Sequence, residues 1–186
     1  MIYLTTDTHF GHKKIIEYGR PKNYGERIVH GFNAIKEGDT LIHLGDICIG
    51  QDEFWSYIFR ALPCNRILVR GNHDHKSAEW YLTHGWHSVC DSFQMIYEGK
   101  NIVFSHCPVT PDYWFNKTHY DRYDFNIHGH LHGNDHRSTD PAIAAVFNDR
   151  QIALALEDNG YRLFSLPSVL RRGKIKADHS QGGDKK

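Results

Sequence analysis

The sequence has no two cysteines close enough to act together: Cys48, Cys64, Cys90 and Cys107 are all it contains, and none forms a CxxC pair. That spacing suggests neither a thiolate zinc motif nor a disulfide framework. Charge of one sign is also missing, since 22 Lys and Arg are matched by 22 Asp and Glu. A chain with no net charge lacks the long-range field that holds proteins on duplex DNA or acidic membranes, so any anion it binds must be attracted locally. No apolar run approaches the roughly 20 residues needed to cross a bilayer. The opening MIYLTTDTHF has neither the basic start nor the long apolar core of a signal peptide. A cytoplasmic protein with no membrane partner is therefore expected. Histidine, by contrast, is abundant, with 15 in 186 residues.

A chain of this length suits one domain around one core. The expected unit spans residues 1–176, and the polar, Gly-rich ADHSQGGDKK at 177–186 reads as a disordered tail. The apolar runs IYLTT (Ile2 to Thr6), TLIHLG (Thr40 to Gly45) and RILVRG (Arg66 to Gly71) read as buried strands closed by Gly or Asp turns. Between them GERIVHGFNAIKE and QDEFWSYIFRAL have helical spacing. Strands alternating with helices imply an α/β class with a parallel sheet. Later, SFQMIYEGKNIVFSH reads as a hairpin turning at Glu98-Gly99-Lys100, FNIHGH as another buried strand, and QIALALEDNGYRLFSL as a second hairpin. The second half is thus expected to build a second, more antiparallel sheet.

Polar residues collect at the ends of these strands. Asp7 and His9 are two apart after the first, and on an extended chain side chains at i and i+2 point the same way. Asp46 follows Gly45, while Asn72 and His73 follow Gly71, at the carboxyl edge where open α/β sheets bind ligands. His106 follows NIVFS, and His130 and His132 are again two apart. Each piece alone is common: Gly-Asp is often a turn, and a lone buried His more often packs a core than holds a ligand. Five signals in the order DxH, GD, GNH, H and GHxH, each after an expected strand, seldom coincide by chance.

Through DTH (Asp7 to His9), GD (Gly45, Asp46), GNHD (Gly71 to Asp74), SH (Ser105, His106) and GHLH (Gly129 to His132), the chain resembles the calcineurin-like metallophosphoesterases. TTDTHFGHKKII is similar to the opening of their small prokaryotic and phage-type members. The resemblance runs from residue 3 to about 165. It implies a four-layer αββα sandwich, two mixed β-sheets flanked by helices, with two divalent metal ions at the shared sheet edge. It further implies that Asp7, His9 and His132 hold the first ion, that Asn72, His106 and His130 hold the second, and that Asp46 bridges them. His73 is then a histidine beside the phosphate and not a ligand.

Two divalent ions about 3.5–4 Å apart repel strongly, and a shared carboxylate with a bridging hydroxide reduces that repulsion while providing a nucleophile at neutral pH. Two dications set against Asp7, Asp46 and one hydroxide leave a residual +1, which attracts a phosphate to an otherwise neutral protein. Oxygen and imidazole donors without thiolate favour Mn, Fe, Zn or Ni over Ca or Mg, and family analogy selects Mn²⁺. His73 is expected to protonate the leaving oxygen, with Asp74 orienting it or capping the next helix. His12 and Arg20, with Asn72 and His73, are candidates for contact with the substrate phosphate. Arg70 is expected to pair with Asp74, and Cys48 and Cys107, as neighbours of ligands on extended chain, to point into the core. The aromatic segment Pro108 to Phe125 reads as a lid that stacks a base or as a loop packed on the core. The combined reading is a phosphodiesterase acting on a phosphate ester, a nucleotide among the candidates. The alternatives are a phosphomonoesterase, a nuclease and a non-catalytic metal-binding scaffold. The balanced charge argues against a duplex nucleic-acid partner. Physiological substrate and oligomeric state stay open.

Overall fold

The structure, a computed structural model, describes residues 1–109, 122–133 and 149–172. The 177–186 tail and most of the 108–125 segment lie outside these.

The chain forms two mixed sheets with flanking helices, the sandwich expected. Strands β1 (Ile2–Thr5), β2 (Asp39–His43), β3 (Cys64–Val69) and β4 (Ser88–Cys90) run parallel, and β9 (Phe164–Ser165) adds antiparallel beside β1, giving the order β4-β3-β2-β1-β9. The second sheet has the order β5-β6-β7-β8, from Ser92–Tyr97, Lys100–Ser105, Phe125–His128 and Gln151–Ala153. Leu4, Leu41 and Leu68 of the first sheet and Ile102, Phe104 and Ile127 of the second, each 0 % exposed, belong to one apolar cluster. Burying such a side chain contributes roughly 1.5–3 kcal/mol, so this shared core is the main force joining the sheets.

Helix α1 (Tyr24–Gly31) buries Tyr24 and Ile28, one turn apart, and α2 (Asp52–Arg60) buries Ser56 and Phe59. Acidic Asp52 and Glu53 open α2 and Arg60 closes it, each sign matching the helix dipole. Helix α3 (Ala78–Thr83) is capped by Ser77, whose hydroxyl accepts from Trp80 N at 3.1 Å. Residues 166–172 form α4. The helical pattern expected through Glu37 breaks at Gly31 and continues as a 3-10 turn, Phe32–Ala34. No described helix is long and apolar enough to cross a membrane.

The β5–β6 hairpin turns on Glu98 (φ 49°) and Gly99 (φ 72°), a two-residue turn with positive φ at both positions that suits the strand twist. Two expectations need correction. β8 and β9 are not a hairpin: β8 pairs parallel with β7 in the second sheet, and β9 pairs with β1 in the first. The apolar stretch between them crosses the core, burying Leu154, Leu156 and Tyr161, and its alternation looks the same whether the chain folds back or passes through. Nor is the second sheet mainly antiparallel. β5–β6 is antiparallel, while β6–β7 and β7–β8 are parallel. About 20 residues separate β6 from β7, enough for a crossover connection in place of a turn.

Parallel register continues past the strands and aligns their carboxyl ends. Asp7 N donates to Gly45 O at 2.9 Å, His9 N to Asp46 O at 3.0 Å and Phe10 N to Ile47 O at 2.9 Å, zipping the loops after β1 and β2 together. Gly129 N donates to His106 O at 3.0 Å and does the same for the second sheet. Gly45 (φ 92°) sits where these layers meet: a Cβ there would strike Gly71 N, and would lie 2.7 Å from Gly71 Cα and 2.8 Å from His106 Nδ1. Gly38 also has positive φ (83°), yet nothing lies within 4 Å of its Cβ position. Gly38→Ala should therefore cost only the left-handed backbone term, about 1–2 kcal/mol. Gly45→Ala should cost clearly more, because the Gly71 backbone and the His106 ring must move. Denaturant unfolding of the two variants measures the difference, and equal losses would refute the close approach.

Candidate metal centre

The expected ligands do converge, but not by continuing extended strands. Asp7 (φ 47°), His9 (φ 43°), Asp46 (φ 58°), His130 (φ 70°) and His132 (φ 51°) all have left-handed backbone. Strands β1 and β7 stop at Thr5 and His128, and each DxH or HxH pair follows on a kinked loop. The shared direction expected from i, i+2 alternation thus arises from a different conformation. Non-glycine residues rarely adopt it, and such strain gathers at functional sites.

Around Asp7 the donors are short of partners. Asp7 Oδ2 accepts from Thr6 Oγ1 at 2.6 Å and from His130 N at 2.9 Å. Asp7 Oδ1 and both His9 ring nitrogens are buried with no hydrogen-bond partner among the described residues. His9 Nε2 and His132 Nε2 each lie 3.8 Å from Asp7 Oδ1. Buried polar atoms are normally satisfied, so this convergence of donor atoms suits a cation. Burial pushes the His9 imidazole down to about 3 and the His130 imidazole down to about 4, which keeps both neutral and able to ligate. Burial would raise the Asp7 carboxyl, yet His106, His132 and His9 around it prevail and hold it at about 2.

A second group surrounds His106. Its Nδ1 donates to Leu44 O at 2.7 Å, which leaves the Nε2 lone pair free. That lone pair lies 3.0 Å from Asn72 Oδ1, 3.1 Å from His130 Nδ1 and 3.5 Å from Asp46 Oδ2. An imidazole lone pair facing an amide oxygen needs a cation or a second ring proton between them. Asp46 Oδ2 is also 3.5 Å from His9 Nε2, so one carboxylate oxygen touches both groups. Burial raises the Asp46 pKa, and the nearby Asp7 charge adds to the effect. Asp7, His9 and His132 each offer a donor atom within 4.8 Å of the others, and so do Asp7, Asp46 and His106. The residues present fit divalent ions.

Asp46 is held from behind. Its Oδ1 accepts from His73 N at 2.9 Å. Asp74, expected to orient His73 or cap a helix, does neither: it accepts from Asp46 N (2.8 Å), Gly71 N (2.7 Å) and Ile47 N (3.1 Å), joining the two ligand loops. Three backbone donors reward the carboxylate more than a neighbouring ring would, and Ser77 already caps α3. Arg70 pairs with Asp91 (2.6 Å), not with Asp74. Cys107 does not turn wholly away either. Its sulfur lies within 4.8 Å of donor nitrogens of His106 and His130, because the chain leaves extended geometry where β6 ends.

These groups floor a cleft of about 530 Å³ lined by His9, Asp46, Asn72, His73, His130 and His132. Two larger hollows, of about 910 and 970 Å³, are lined by none of the seven expected ligands. His73 is exposed in the cleft with its ring 5.5 Å from that of His9, and the His12 ring lies 5.6 Å from the His9 ring. Arg20 also lines the cleft but is only 3 % exposed, and its guanidinium is committed to Glu157 (2.8 and 2.7 Å) and to Thr8 O (3.3 Å). Sequence reasoning missed Glu157. It follows an apolar run as the other site residues do, a signal hidden by reading residues 151–166 as a hairpin.

Comparison with known proteins agrees with this geometry. The family model of the calcineurin-like phosphoesterase superfamily domain matches residues 1–148. The chain is 27% identical to the uncharacterized protein MJ1445 of Methanocaldococcus jannaschii, over 94% of this chain and 93% of that one. The crystal structure of AQ665, a protein of unknown function from Aquifex aeolicus, is similar at a TM-score of 0.69 and 27% identity, over 92% of this chain and 98% of that one. With its motif glycines, buried carboxylates and histidines gathered at one sheet edge, the chain belongs to the calcineurin-like phosphoesterase superfamily.

Proposed function

We propose that the chain is a dinuclear metal-dependent phosphohydrolase, and specifically a phosphodiesterase. The observation that carries the reading is Asp46 Oδ2, which lies 3.5 Å from His9 Nε2 in one donor group and 3.5 Å from His106 Nε2 in the other. A carboxylate shared between two donor sets is what a pair of cations requires. Asp7, His9 and His132 would hold one ion and Asn72, His106 and His130 the other, with Asp46 between. When bound, the ions supply positive charge for the phosphate and lower the pKa of water enough to make a nucleophile at neutral pH. Manganese is our choice of metal, with iron, zinc and nickel compatible with the same donors.

The chain's own residues do the rest. Neutral Asn72 supplies an oxygen without adding a third carboxylate, which preserves net positive charge for the substrate anion. Asp74 fixes the Asp46 loop against the Gly71 turn, so the shared carboxylate and the cleft histidine keep one spacing. His73 lies outside both donor groups and exposed in the cleft, free to hand a proton to a departing alkoxide. That proton matters for a diester of an ordinary alcohol, because an alkoxide is a poor leaving group. The substrate is then a phosphodiester small enough for the cleft, with nucleotides among the candidates. A non-catalytic scaffold would have no use for a histidine placed in this way.

Asp46→Asn should lose nearly all turnover of an aryl phosphodiester and much of its bound metal. Two tightly held ions per chain in that variant, by elemental analysis, would show that Asp46 is not the bridge. Chelated protein should be inactive and recover with added Mn²⁺, whereas full activity after chelation would end the two-metal reading. His73→Ala should keep both metals and the fold while turnover of an alkyl phosphodiester falls by about 10²–10⁴, the range for a lost general acid. The loss should shrink for a nitrophenyl ester, whose leaving group needs little protonation. An equal loss on both esters would make His73 an electrostatic clamp instead.

A further inference from the structure

The geometry points to Glu157 as a positioning residue for the metal centre: its carboxylate takes the Nδ1 proton of His132 and so leaves the Nε2 lone pair facing Asp7. This rests on the dinuclear reading above and concerns how one ligand is set.

His132 Nε2 lies 3.8 Å from Asp7 Oδ1, and its other nitrogen has two competing neighbours. Arg20 NH2 is 3.1 Å from His132 Nδ1, and Glu157 Oε1 is 3.4 Å from it. A guanidinium only donates and a carboxylate only accepts, so the two demand opposite tautomers. Bonded to Arg20, His132 carries its proton on Nε2, aimed at Asp7 and unable to ligate. Bonded to Glu157, it carries its proton on Nδ1 and offers Nε2 to a cation, the arrangement in which an outer carboxylate orients a metal-binding histidine. The proton moves between the two ring nitrogens by way of solvent, and neither the total charge nor the covalent framework changes.

Glu157 is built for this exchange. It opens the 3-10 turn Glu157–Asn159 just after buried Leu156, and its Oε2 is buried with no hydrogen-bond partner among the described residues. Arg20 holds Oε1 at 2.8 and 2.7 Å whichever tautomer His132 adopts, and it is itself packed over the rings of Tyr24 (5.3 Å) and Tyr161 (5.8 Å). The carboxylate is therefore fixed in place while the imidazole chooses its partner.

The test is calorimetric titration of metal-stripped wild type, Glu157→Ala, Glu157→Gln, His132→Ala and the Glu157→Ala/His132→Ala double variant with Mn²⁺. Glu157→Ala should weaken one of the two ions by about 10- to 100-fold and spare the other. Glu157→Gln keeps an acceptor oxygen, should recover part of the loss, and carries the test if the alanine variant fails to fold. The double variant should bind no worse than His132→Ala alone, since Glu157 acts only through that ring. In the Zn²⁺ form, nitrogen NMR should find the His132 proton on Nδ1. Wild-type affinity for both ions in Glu157→Ala, an independent further loss in the double variant, or a proton on Nε2 would each overturn the assignment. Wild type that takes up no metal at all would instead overturn the dinuclear reading on which it rests.

Discussion

Everything at the sheet edge follows from a crowd of lone pairs with no cationic side chain among them in the described residues. Asp7 Oδ1, Asp46 Oδ2, His9 Nε2, His106 Nε2 and Asn72 Oδ1 face one small buried region. Left to themselves such groups repel, and burial makes each unpaired one costlier. The cation nearest at hand, Arg20, is committed to Glu157. The fold thus maintains an electrostatic deficit that bound divalent ions would remove, and the surrounding loops are arranged to stop the donors from relaxing apart.

That restraint is costly in the loops and supported elsewhere. Each left-handed non-glycine residue costs about 1–2 kcal/mol, and five of the seven candidate ligands are in that state. The opposing stabilisation comes from the core shared by both sheets, where Leu4, Ile42, Leu68, Phe104 and Ile127 are essentially excluded from water. Backbone hydrogen bonds beyond the strand ends then carry this rigidity to the ligands, so that Asp7 cannot shift without disturbing Gly45. At Gly129 the loops of the two sheets approach closely: a side chain there would strike Thr6 Oγ1 and Asp7 Oδ2.

The strands that position the ligands were legible in the sequence because each is a short apolar run ended by a turn residue, and that signal is local. The seven candidate ligands stood out because their order along the chain is unusual. Their conformations were not: i, i+2 spacing suggested extended chain for Asp7 and His9, and the structure reaches the same convergence through positive φ at both. The destination of β9 was also hidden, since nothing in FSL says that its partner is β1, some 160 residues earlier. Asp74 and Glu157 went astray or unseen for a related reason. Both act on groups brought near by the fold, Asp74 on the Asp46 loop and Glu157 on His132, and spacing along the chain carries no trace of such contacts.

The hydrogen bond from His73 N to Asp46 Oδ1, with Asp74 clasping the loops on either side, makes the cleft histidine and the shared carboxylate one mechanical part. This part rests on a handful of polar contacts, whereas the sheets rest on a dry core. Gentle heating or dilute denaturant will loosen the clasp while the strands are still paired. Inactivation should therefore run ahead of unfolding, and the temperature at which the protein stops working will say little about the temperature at which it melts.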